Sequence, residues 1–159
     1  MKKLVIFTLI CSALAACSGN SSNTEKNPFV QDGGNAEKKD GNPSYDPNRG
    51  TGKFTKVDIK PELDVAMADN GKKVFDVKCN ACHKLTGEKL VGPGWEGVTK
   101  RHEAVWIMNF VTNTDEMITK DPKAQAQLEI CLVRMPNQNL SDDDARNVYE
   151  FMRRNDGAK

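Results

Sequence analysis

The run Cys79-Asn80-Ala81-Cys82-His83 constrains this chain more than any other feature. Two thiols separated by two residues, followed at once by an imidazole, suit a planar macrocycle with two vinyl groups and a central iron. Each S–H adds across one vinyl group to give a thioether. The histidine after the second cysteine can then bring a ring nitrogen under the metal. The pattern reads as c-type attachment of one covalent haem. Two other chemistries use paired cysteines. A redox dithiol belongs in a thioredoxin-like strand and helix pattern, which does not surround this motif. A zinc site wants a second pair of ligands. Only His102 and Cys131 remain for it, at a spacing that matches no common zinc pattern.

Helical periodicity surrounds the motif. Pro61, tolerated in a first turn, predicts a helix running to about Lys78, with Met67, Gly71, Val74, Phe75 and Cys79 on one face. A second helix is expected from His102 to Val111, carrying Val105, Trp106 and Phe110. Asp121-Pro122 reads as an N-cap followed by a first-position proline, and Ala124, Leu128, Cys131 and Leu132 form a stripe beyond it. Ser141 caps a last helix with Asp142, Asp143 and Asp144 in its first turn. Arg153 and Arg154 fall in its last turn, and Gly157 lies just past its end. Ala145, Val148, Phe151 and Met152 make its apolar face. No strand pattern follows residue 60. The expectation is an all-α, haem-centred domain of about four helices.

The amino-terminal third differs. Met1-Lys2-Lys3 precedes an apolar run from Leu4 to Ala16, too short to span a bilayer but suited to a signal peptide. Leu14-Ala15-Ala16-Cys17 resembles the bacterial lipoprotein signal, which implies a diacylglycerol on the Cys17 thiol. More than one acyl chain on that residue anchors stably where a single chain is marginal. The other readings are an ordinary signal peptide and a short uncleaved anchor. Residues 18–60 are rich in Asn, Ser, Gly, Pro, Lys and Asp without periodicity, and cannot bury enough apolar area to offset their ordering entropy. They read as a disordered tether spanning about 35 Å, of which Phe54 to Ile59 alternates and could lie on the domain as an extended segment. The organisation is therefore signal peptide 1–16, lipidated cysteine and linker 17–60, and haem domain 61–159.

From about Asp64 onward the chain resembles a class I bacterial cytochrome c. The features stand in that family's order: a helix with Gly71 and Phe75 leading into Cys79–His83, then Leu90-Val91-Gly92-Pro93, Arg101, Met135-Pro136 and a final helix. The resemblance implies that the Pro93 carbonyl accepts a hydrogen bond from the second nitrogen of His83. That bond has a physical purpose, since it fixes the tautomer and ring plane of a ligating imidazole. The resemblance also implies that Gly71 and Phe75 meet Val148 and Phe151 where the terminal helices cross, that Arg101 bonds a haem propionate, and that Trp106 donates its indole N–H to the other. For Arg101 the competing reading is a solvated surface residue, and for Trp106 plain core packing. Trp95 is read as core or haem-edge cover, and Cys131 as a small buried hydrophobe or a redox thiol.

The sixth iron position has several candidates: Met67, Met108, Met117, Met135, Met152 and His102. Met135 lies between two predicted helices and follows His83 by enough chain to reach the opposite face of a haem. It also precedes Pro136, as the ligand methionine of the family often does. His83/Met135 ligation would favour ferrous iron and close the site to substrate. That points to one-electron transfer between membrane and periplasmic redox proteins, without enzyme activity. The alternatives are an open-site haem enzyme or sensor and a fixed cytochrome subunit of an oxidase or reductase complex.

Charge narrows the partners. Loss of Lys2 and Lys3 from the 23 basic residues leaves 21 against 22 acidic, so no bulk positive field argues for nucleic acid. Between Lys78 and Arg101, however, five basic residues face only Glu88 and Glu96. A local positive rim of that kind steers encounter with an acidic redox partner. The expected state is a monomer, lipid-anchored and facing the periplasm.

Overall fold

Three side chains decide where the main helices begin. Asp64 Oδ1 accepts a hydrogen bond from Met67 N at 3.0 Å, Asp121 Oδ1 from Ala124 N at 2.9 Å, and Ser141 Oγ from Asp144 N at 3.0 Å. Each satisfies a backbone donor that a helix start otherwise leaves free. The computed structural model describes residues 45–159. They form helices α1 (Val65–Lys78), α2 (Val98–Arg101), α3 (Ala104–Thr112), α4 (Thr114–Lys120), α5 (Pro122–Cys131) and α6 (Asp142–Asn155), with no strand among the described residues. The expected signal peptide, Cys17 and the linker up to residue 44 lie outside the described residues.

The architecture of the described residues is all-α, with six helices where about four were expected. The additional ones are short: α2 has four residues and α4 has seven. Helix α1 starts at Val65 rather than Pro61. The Pro61 carbonyl instead accepts from Arg153 Nη2 at 2.9 Å, and Leu63 N donates to Lys159 O at 2.9 Å, so this stretch lies on the carboxyl terminus. Leu132 leaves the expected α5 stripe. It ends that helix in the left-handed conformation, φ 60°, and is 83% exposed. Gly157 follows α6 at φ 93°, as the predicted C-terminal signal requires.

Helices α1 and α6 pack together, and α3 also packs on α6. The contact of α1 with α6 depends on Gly71. A Cβ there would stand 2.0 Å from the Asn147 carbonyl oxygen and 2.9 Å from Phe151 Cβ. Phe75 and Phe151 meet beside it with ring centroids 5.4 Å apart. Trp106, Ile107, Met108 and Val111 of α3, Met117 and Ile118 of α4, and Ala145, Val148 and Met152 of α6 complete the core.

Residues 45–60 lie on the helices instead of belonging to the tether. Phe54, Val57 and Ile59 pack against the core. The Asn109 side chain, fully buried in α3, substitutes for a neighbouring strand. Its Oδ1 accepts from Phe54 N at 2.9 Å, and its Nδ2 donates to the Arg49 and Phe54 carbonyls at 3.0 Å. Further back, the Tyr45 hydroxyl donates to Asp121 Oδ2. This strap was legible only as a weak alternation in the sequence. A lone amide in the apolar run Val105-Trp-Ile-Met-Asn-Phe-Val111 was the one local sign that something must bond there.

Candidate haem-binding site

The paired cysteines sit where α1 runs out. Cys79 is its C-cap, with its N–H bonded to Phe75 O at 2.9 Å. Cys82 N and His83 N then both donate to Cys79 O, at 3.0 and 2.9 Å, which folds the motif into one tight turn. The chain loops out and returns beside it: Gly92 N donates to Cys82 O at 2.8 Å, and Trp95 N to Lys84 O at 2.9 Å. Gly92 is brought against the imidazole. A Cβ at that position would be 2.4 Å from His83 Cε1, so no larger residue fits without moving the ring.

His83 Nδ1 lies 2.9 Å from the Pro93 carbonyl oxygen. A carbonyl only accepts, so Nδ1 carries the proton and Nε2 keeps its lone pair. Burial lowers the pKa of His83, and the Pro93 bond partly opposes this. The neutral imidazole is the form that can bind a metal. Trp95 supports it from the core side, its ring centroid 5.7 Å from that of His83 and 4.7 Å from that of Phe75. Burial raises the Cys79 thiol to about 11, with Lys78 acting weakly against it.

His83 and Met135 line one cavity of about 440 Å³, together with Cys82, Arg101, Trp106 and Cys131. Its size is that of a small-molecule or cofactor pocket. A smaller space of about 40 Å³ beside it is lined by Cys79, Cys82, His83 and Met135. Met135 is held from both sides. Arg134 Nη2 donates to Asp115 O at 2.9 Å, and Lys78 Nζ donates to Gln138 O at 2.9 Å. The donor set therefore fits a haem: the Cys82 thiol, the oriented imidazole and the thioether stand on the walls of the larger, otherwise mainly apolar cavity, and the Cys79 thiol lines the smaller space beside it. Met67 is absent from that lining, and so are Met108 and Met117, which are buried in the core; Met152 shares the lining from the face of α6. Among the described residues, no three His, Cys, Asp or Glu side chains cluster as a separate metal site.

Arg101 reaches the cavity, but its guanidinium is occupied on the loop. Nη2 donates to Gly94 O at 3.1 Å and Nη1 to Glu96 O. The Trp106 indole N–H, expected at a haem propionate, donates to Asp121 Oδ2 at 3.0 Å, while its ring lines the cavity. That ring is the centre of a stack. His102 lies on one face at 4.1 Å and 12°, Phe110 on the other at 5.1 Å and 6°. Cys131 is half-buried in the cavity wall at the end of α5. The sequence marked Asp121 only as a helix cap. Its second role, receiving Trp106 and Tyr45, depends on contacts distant along the chain.

The comparisons with known proteins agree with this geometry. The family model described as Cytochrome c matches residues 68–156. A cytochrome c from Rhodothermus marinus is 32% identical, with 66% of this chain and 90% of that one aligned at a TM-score of 0.64. An engineered form of the Rhodothermus marinus protein is 31% identical over 70% of this chain and 98% of its own, at a TM-score of 0.66. Another structure of that engineered protein, bound to a carbene intermediate, aligns at a TM-score of 0.63. No match is found among curated proteins. The haem domain of this chain belongs to the cytochrome c family, whose cofactor is covalent haem c and whose chemistry is haem-based electron transfer.

Proposed function

We propose that this protein is a lipid-anchored carrier of single electrons, with one haem attached through Cys79 and Cys82 and ligated by His83 and Met135. The observation that carries the reading is that His83, its Nδ1 oriented by Pro93, shares a cavity wall with Met135. Bound there, the haem supplies a one-electron iron couple. The chain supplies the rest. Pro93 and Gly92 fix the imidazole, the anchors at Arg134 and Lys78 hold the Met135 loop, and the apolar walls exclude water. Arg101, in the cavity lining, would offer its cation to a haem propionate. A thioether in the sixth position favours ferrous iron and leaves no vacancy for substrate. Cys17, acylated, holds the molecule on a membrane facing the periplasm, and the partners are redox proteins on either side of the electron's path.

The engineered relative bound to a carbene intermediate supplies the second reading, an open-site haem enzyme or sensor. One experiment separates the two. The wild type is expected to be low-spin in both oxidation states and indifferent to carbon monoxide. Met135→Ala is expected to bind carbon monoxide rapidly in the ferrous form and to lose the sulfur-to-iron absorption band. Met108→Ala and Met117→Ala should leave the spectrum unchanged. Ready carbon monoxide binding by the wild type would put the open-site reading ahead.

A further inference from the structure

Behind Trp106 in the cavity wall lies a fully buried carboxylate. Asp121 has no exposed surface. Its Oδ1 accepts from Ala124 N at 2.9 Å, and its Oδ2 accepts from Trp106 Nε1 at 3.0 Å and from the Tyr45 hydroxyl. Among the described residues its shell holds three donors and no cationic side chain, so dipoles and not an ion pair would compensate a charge on it. A helix cap needs only one of these bonds, and capping is served equally well on a solvent-exposed surface.

We propose that Asp121 is a positioning residue for electron transfer: a fixed internal anion that holds the Trp106 ring in the cavity wall and would lower the reduction potential of a haem held in that cavity. The proposal rests on the electron-carrier reading above. Ferric haem carries one more positive charge than ferrous haem, and a nearby anion in a low-dielectric interior therefore favours the oxidised state. The field of Asp121 reaches the wall. It acts on His102, which stacks on Trp106, in the direction that favours a positive charge there. At His102 itself Lys123 and Arg101 outweigh it. Arg101 is exposed and Lys123 only partly covered, so water and salt screen both more than they screen Asp121. Tyr45 places the strap in the same circuit. Its hydroxyl is one of the donors that compensate the carboxylate, and burial followed by the Asp121 bond raises its pKa.

The test is potentiometry of the haem-loaded full chain, with thermal unfolding measured alongside. Asp121→Asn keeps the size and removes the charge, at the loss of the bonds accepted by one carboxylate oxygen, and the midpoint potential is expected to rise. A purely structural role predicts the opposite sign, because a loosened wall admits water and water favours ferric iron. A potential that falls or stays constant therefore overturns the proposal, whatever happens to the melting temperature. Should Asp121→Asn fail to load haem, Tyr45→Phe decides. It leaves the charge and removes one compensating donor, so the potential should fall while cleavage of the strap by added protease stays at the wild-type rate. An unmoved potential, or a fall accompanied by faster cleavage, overturns the assignment. A wild type with no reversible one-electron couple would sink the carrier reading itself, whereas a couple that these substitutions do not shift removes only the role of Asp121.

Discussion

His102 has its two ring nitrogens in unequal surroundings. Nε2 lies 3.0 Å from the Gln127 side-chain amide, while Nδ1 is buried without a partner among the described residues. Burial, then the charges of Lys123 and Arg101, pushes its pKa down to about 4, against a weaker pull from Asp121. The folded protein thus holds the ring neutral, whereas an unfolded chain protonates it near pH 6.5. Stability from this neutral state is complete above about pH 6.5. It is lost as pH falls toward about 4, because the unfolded chain binds the proton first. With the partial exposure of the ring discounted, the loss at pH 5 is about 1 kcal/mol. His102→Phe keeps a flat ring on Trp106 and cannot titrate. Urea unfolding at pH 7 and pH 5 should show a smaller drop in that variant than in the wild type. Equal drops would mean that His102 is already partnered in the haem-loaded protein.

At the scale of elements, the crossing of α1 with α6 makes the sharpest demand. Gly71→Ala gains roughly 1 kcal/mol in helix propensity. Against this, the new methyl would sit 2.0 Å from the Asn147 carbonyl oxygen, a backbone atom that cannot swing aside. The helices must part, and overpacking of this kind costs about 1–3 kcal/mol. The net effect should be a lower melting temperature with the visible haem spectrum nearly retained, checked by thermal unfolding followed at the haem band. An unchanged or higher melting temperature would show that α6 can shift freely. Gly71 was readable in the sequence because it lies in register with Phe75 on a helix leading into the cysteine motif. The caps at Asp121 and Ser141 were readable for a similar reason, since each bonds within three residues. Helix α4 was not, because it is short and polar at both ends. Nor was the strap, because Tyr45 meets Asp121 and Phe54 meets Asn109 across more than fifty residues, and periodicity carries no record of such contacts.

For the whole molecule the question is which charge a partner feels. Without Lys2 and Lys3 the chain has 21 basic and 22 acidic residues, so its net field before haem is close to neutral. The cavity rim differs. Lys84 is paired with Glu88 and Arg134 with Asp115. Lys89 instead bonds the Ile130 carbonyl at 3.1 Å, next to Cys131 in the cavity lining, and Arg101, itself in that lining, bonds the carbonyls of Gly94 and Glu96, so neither has an acidic partner among the described residues. Exposed Leu90, Val91, Ile130 and Val133 lie among them. A local positive rim should attract a small anionic oxidant such as hexacyanoferrate(III), although the molecule as a whole does not. The measurement uses Cys17→Ala, which is expected in the soluble exported fraction; retention in membranes would overturn the lipid anchor. Its oxidation rate should fall about tenfold as ionic strength rises from about 0.01 to 1 M, over which the screening length shrinks from about 30 to 3 Å. Lys89→Gln combined with Arg101→Gln should flatten that dependence. A rate that does not change with salt would mean that the near-neutral whole outweighs the rim, and that partner choice depends on the apolar residues instead.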